Sequence, residues 1–133
     1  YVFDAQGNPT RPDSVSDQDG YPAQIAFASA ETLKGIETLL AQSSNAPVII
    51  LQGDHGPFGA EVPKRHQILN AYYFPGRSND IFYPSISPVN TFRLVFNEYF
   101  NENYPILEDL SYVSDTSAGY DFQPVPNTCQ SGQ

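Results

Sequence analysis

Val48, Ile49, Ile50 and Leu51, fenced by Pro47 before them and Gly53 soon after, constrain this chain more than any other stretch. A run so apolar and β-branched predicts a strand buried on both faces, the pattern of a parallel sheet in an α/β protein. Gly53, Asp54, His55 and Gly56 follow almost at once. Open α/β sheets bind ligands just past the carboxyl ends of their strands, so polar groups here are well placed for chemistry. A carboxylate beside an imidazole can supply two ligands of a metal site. Gly56 is expected to let the backbone turn sharply beside that site. The blander reading of the same dipeptide is an aspartate that caps a helix next to a surface histidine.

The flanks read as support for this turn. Ile25, Ala28, Leu33, Ile36 and Leu40 recur at roughly helical intervals between Tyr21 and Gln42. They predict an amphipathic helix that covers a sheet face, and Ser43 to Pro47 end it. Helix, short loop and buried strand make half of an α/β crossover unit. Downstream, residues 57–65 read as a mixed loop closed by Lys64-Arg65-His66, and Ile68 to Phe74 as a second strand broken by Pro75-Gly76. Ser87-Pro88 predicts a helix start, with Val89, Phe92, Phe96 and Phe100 along one face up to about Phe100. A further strand is expected near Tyr120 to Val125. Residues 1–20 read as an irregular, turn-rich loop. The aspartates at 13, 17 and 19 do not match the spacing of a calcium-binding helix–loop–helix, and no glutamate closes it.

At 133 residues the chain is long enough for one domain with a core. Its formal charge of -9 argues against nucleic acid, whose phosphates need a basic footprint, and against adsorption to anionic lipid. The single Cys129 cannot close an intrachain disulfide. The chain opens on Tyr1-Val2-Phe3 without methionine, which reads as a piece of something longer.

The run Val48 to Gly56 resembles the late metal-binding strand and turn of the alkaline phosphatase superfamily. More narrowly, it is similar to sulfatase-like hydrolases and lipoteichoic-acid-synthase-type phosphotransferases. Ile68 to Gly76 resembles the strand that follows that turn in bacterial sulfatase-like proteins, and Ser85 to Arg93 their next helix start. Pro22 to Leu40 sits where the family places the preceding helix. The resemblance covers roughly residues 1 to 112.

This resemblance implies an alkaline-phosphatase-like, mainly parallel sheet with flanking helices, the N-terminal half of the domain being absent. Residues 1–126 would be the C-terminal portion of the domain and 127–133 a flexible tail. Asp54 and His55 occupy the positions of the family's metal ligands. The donor types suit zinc or manganese, with magnesium or calcium possible in a carboxylate-rich remainder. The nucleophile and first acidic ligand of the family lie before Tyr21, outside this chain, so the chain alone is expected to be inactive. Cys129 lacks the Cys-x-Pro-x-Arg setting of a formylglycine precursor. The implied substrate is a small anionic ester or a lipid- or glycan-linked phosphate or sulfate. His66 is a candidate neighbour of that substrate, and Lys64-Arg65 reads as a solvated basic pair. The implied place is the extracytoplasmic face of a bacterial membrane protein. A rival reading is a non-catalytic acidic α/β binding module that meets a partner through Tyr99, Phe100, Tyr104, Tyr112 and Tyr120.

Overall fold

The computed structural model describes residues 2–11, 16–56 and 61–125. Asp13, the tail at 127–133 and Cys129 lie outside these residues. The chain divides at Pro47 into two compact units, Tyr1–Pro47 and Val48–Gln133.

The first unit is a tight loop and a long helix. Asp4 folds the loop by accepting from the backbone N–H groups of Gln6 (2.9 Å) and Asn8 (2.8 Å) and from the Asn8 side chain (2.9 Å). These hydrogen bonds hold its carboxyl below the usual aspartate range, led by the Asn8 side chain. Gly7 takes the positive φ of 83° that the turn requires. Phe3 and Pro9 then pair across it as an isolated antiparallel bridge, where the sequence predicts only irregular loop. Phe3 packs on Phe27 at 5.2 Å between ring centres, and the Val2 N–H donates to Gln24. The helix, α1 (Asp17–Gln42), begins four residues before the expected Tyr21 because Ser16 caps it, accepting from the Asp19 N–H. Pro22 sits in the second turn and leaves α1 one backbone hydrogen bond short. Ile25, Leu33 and Leu40, placed by periodicity on a sheet-covering face, are exposed.

The second unit carries the predicted strands and second helix, paired differently from expectation. Strand β1 (Ile49–Gln52) and strand β2 (Asn70–Tyr73) run antiparallel, with Ile49 opposite Tyr73 and Gln52 opposite Asn70. Between them lies a short helix, α2 (Val62–Arg65), where the sequence reads as loop. The chain reverses through the Asp-His turn and α2 instead of crossing over a sheet face, and that geometry yields antiparallel neighbours. Helix α3 (Pro88–Phe100) starts and ends as predicted. Strands β3 (Ser111–Val113) and β4 (Gln123–Val125) form a second antiparallel pair. Among the described residues the fold is therefore mixed α/β, with two small antiparallel sheets, three α-helices and no parallel ladder. Every β1 residue is only half-buried, not enclosed on both faces.

The core of this unit is aromatic on one side and polar on the other. Phe74 is buried against Phe82 and Tyr99, whose ring centres lie 5.1 and 5.5 Å away, and Leu94 is buried on α3. Arg77 stacks over Tyr99 at 5.0 Å and pairs with Glu98 at 3.3 Å, which fixes the far side of that ring. Asn90 and Thr91 are wholly buried, while Phe92, Phe96 and Phe100 point outward. The apolar face that periodicity marks on α3, Val89 included, is thus exposed.

The implied place on a bacterial membrane protein's outer face is corrected here. Among the described residues no helix is long and apolar enough to cross a membrane. Helix α1 has the length, but Glu31, Lys34 and Glu37 interrupt its apolar positions.

Candidate functional site

The Asp-His turn is held at its start by the end of β1. Gln52 donates from its side-chain amide to Thr91 on α3 and to Asn70 across the ladder, at 2.8 and 2.9 Å. The Gly53 N–H extends the β1–β2 pairing by one bond, to the Leu69 carbonyl at 2.8 Å. The turn is thus fixed to both a strand and a helix before Asp54 is reached.

Gly56 holds the other end, by a route the sequence does not foresee. It is buried, and its φ lies outside the left-handed region. Its N–H donates to the Arg65 carbonyl at 2.7 Å. A Cβ there would overlap the Lys64 carbonyl oxygen and lie 3.1 Å from Arg65 Cα. Glycine is needed for this close approach of two backbones, not for a sharp turn.

Between these anchors Asp54 and His55 stand side by side. Asp54 Oδ2 lies 3.5 Å from His55 Nε2, and Asp54 Oδ1 accepts from the His55 N–H at 3.0 Å. His55 Nδ1 is 2.7 Å from the Gly56 carbonyl oxygen. A carbonyl only accepts, so Nδ1 carries the proton and Nε2 is the nitrogen turned toward the carboxylate. A carbonyl that accepts from the other ring nitrogen in this way sets the tautomer of metal-ligating histidines. A tetrahedral ion with ligand bonds of about 2.0–2.1 Å spaces its donor atoms about 3.3 Å apart, close to the observed pair. The Asp54 side chain is 88% exposed and that of His55 35%. Among the described residues no third His, Cys, Asp or Glu completes a metal-binding group with them.

A cavity of about 380 Å³ opens beside the pair, lined also by Arg65, His66 and Tyr112. His66 closes α2. Its Nδ1 faces the Val62 carbonyl at 2.9 Å and its Nε2 the Tyr112 carbonyl at 3.2 Å, tying α2 to β3. The structure thus brings Asp54, His55 and His66 to one cavity. It also brings Arg65, which reads from the sequence as one of a solvated pair. A second cavity next to it, walled by Tyr72, Phe82, Tyr83 and Ile86, is not anticipated at all. The Phe82-Tyr83-Pro84 run was its one visible signal.

Compared with known proteins, the chain matches no family model, no curated protein and no solved structure.

Proposed function

We propose that this chain contributes the Asp54–His55 metal ligands of a sulfatase-like hydrolase or phosphotransferase acting on phosphate or sulfate esters. The observation that carries the reading is the 3.5 Å spacing of Asp54 Oδ2 and His55 Nε2, with Nδ1 bonded to the Gly56 carbonyl. Zinc or manganese suits the two donor types. A cation held there lowers the pKa of a hydroxyl nucleophile and offsets charge on the ester oxygens. The chain's own part is to position: Gln52 and Gly56 fix the turn, His55 presents Nε2, and Arg65 offers a guanidinium to an anionic group in the same cavity. Among the described residues no third His, Cys, Asp or Glu joins the pair, so the remaining ligands and the nucleophile are left to be supplied from elsewhere.

Calorimetric titration with zinc tests the assignment. The expected result is weak binding, with shifts of the His55 ring resonances, and loss of both in an Asp54→Ala, His55→Ala double variant. Equal binding by the variant overturns it.

Four of the five aromatics named for the rival reading, Phe100, Tyr104, Tyr112 and Tyr120, are exposed and favour a second reading, a non-catalytic acidic α/β module that meets a partner through them. That reading predicts no response to zinc at His55.

A further inference from the structure

The cavity beside Asp54 and His55 has a larger neighbour of about 480 Å³, and the two share His66, Ile68, Pro88 and Ser111 as walls. Their chemistry differs sharply. The smaller one is lined by Asp54, His55 and Arg65 besides the shared His66. Among the described residues no Asp, Glu, Lys or Arg lines the larger one.

Three of its polar side chains, Asn70, Tyr83 and Ser87, are committed to hydrogen bonds, mostly with residues behind the wall. Asn70 donates to the Ile86 carbonyl at 3.2 Å and accepts from Gln52 at 2.9 Å. Ser87 Oγ donates to Asp109, and the Tyr83 hydroxyl donates to Asp109 at 2.7 Å while accepting from Asn90 at 2.9 Å. Beside them stand the aromatic and aliphatic walls Ile68, Tyr72, Phe82, Pro84 and Ile86, with His66, Gln67 and Ser111 as the other polar walls. A small ion entering here would meet no Asp, Glu, Lys or Arg to offset its lost hydration. A flat, weakly hydrogen-bonding ring loses little water and gains apolar contact. The volume is in the range of small-molecule pockets. The wall is also preformed, since Tyr72 and Phe82 stack at 5.0 Å with 6° between planes and the Asp109 bonds hold Tyr83 and Ser87.

We propose that this uncharged cavity is a binding site for a neutral aromatic ring. On the metal reading above, on which this assignment of role rests, the ring is the uncharged organic portion of the ester. Its anionic end then lies in the neighbouring cavity with Asp54, His55 and Arg65.

The test is an amide NMR titration of the full chain with benzyl alcohol, and separately with methyl glucoside, each with and without zinc. Benzyl alcohol is expected to shift the amides of Ile68, Tyr72 and Ile86 and to give ring-to-methyl NOEs at Ile68 and Ile86. The Asp54→Ala, His55→Ala double variant should respond equally, and Ile86→Asp should bind several-fold more weakly. Should Ile86→Asp fail to fold, the NOEs in the unaltered chain decide alone. Absence of those NOEs, or a preference for the glucoside, overturns the proposal. Ring NOEs without any zinc binding support the ring site and overturn the metal reading, so the two fail separately.

Discussion

Replacing Asp109 by alanine is expected to lower the unfolding free energy by about 3 kcal/mol, measured by urea denaturation. Its carboxylate accepts from the Tyr83 hydroxyl (2.7 Å), the Ser87 N–H (2.7 Å), the Ser87 hydroxyl (2.5 Å) and the Asn90 side chain (3.0 Å). A hydrogen bond to a charged group contributes about 1.5–3 kcal/mol, and Asn90, wholly buried, would lose one where water cannot replace it. Asp109 itself is only half-buried, so water recovers part of the loss and the figure stays below the sum. A variant within about 0.5 kcal/mol of the parent would show that the cluster is ornamental.

The same cluster sets two pH windows. Burial works to raise the Asp109 pKa, but the Ser87, Tyr83 and Asn90 hydrogen bonds outweigh it and hold it below the usual value of 3.8. The stabilisation is therefore present above that value and is lost as pH falls through the lower folded pKa. Asp4 and Asp115, also held low by hydrogen bonds, add to this acid-side slope. Tyr83 behaves oppositely: burial, then the Asp109 contact, pushes its pKa from 10.0 up to about 12. Its contribution is intact below pH 10.0 and disappears as pH rises through about 12. In Asp109→Asn both slopes should flatten; an unchanged profile at both ends would sink this account.

Gly56→Ala is expected to cost about 1–3 kcal/mol, the range for forcing extra volume into packed surroundings. The added methyl meets backbone, at the Lys64 carbonyl and Arg65 Cα, which cannot swing aside as a side chain would. The turn must lift off α2, break the Gly56–Arg65 bond and carry Asp54 and His55 away from Arg65. Zinc affinity should fall although both ligands are present. Gly53→Ala is the control, because a Cβ at 53 finds its nearest atom, the Leu69 nitrogen, at an ordinary 3.5 Å. Equal stability and equal zinc binding in the two variants would contradict the close-approach role.

What could be read in advance divides along physical lines. Local signals held: Ser87-Pro88 marks the start of α3, and the aliphatic run marks β1. Pairing was hidden, because the side chains of Val48 to Leu51 do not say which way a neighbour runs. Faces were hidden too. Periodicity set Val89, Phe92, Phe96 and Phe100 on one face without saying whether it is covered, and Asn90 and Thr91 took the interior. Their burial depends on partners remote in sequence: Leu107 and Asp109 for Asn90, Gln52 and Tyr72 for Thr91. Asp54 and His55 were legible as adjacent donors, whereas Arg65 reached their cavity only through α2, whose four residues lack any usable period.

The stretch that leaves α3 carries a consequence of its own. Asn90, Arg93 and Asn97, aligned on one flank of the helix, grip the backbone of Leu107, Pro105 and Tyr104 in reverse order. Helical pitch therefore acts as a ruler against an extended segment that has no ladder of its own. Inserting or deleting a single residue between Asn101 and Tyr104 could be absorbed as slack, but the same edit between Tyr104 and Leu107 would throw the outer clasps out of step. A connection that looks free to vary in length is gauged over those few positions as strictly as a paired strand.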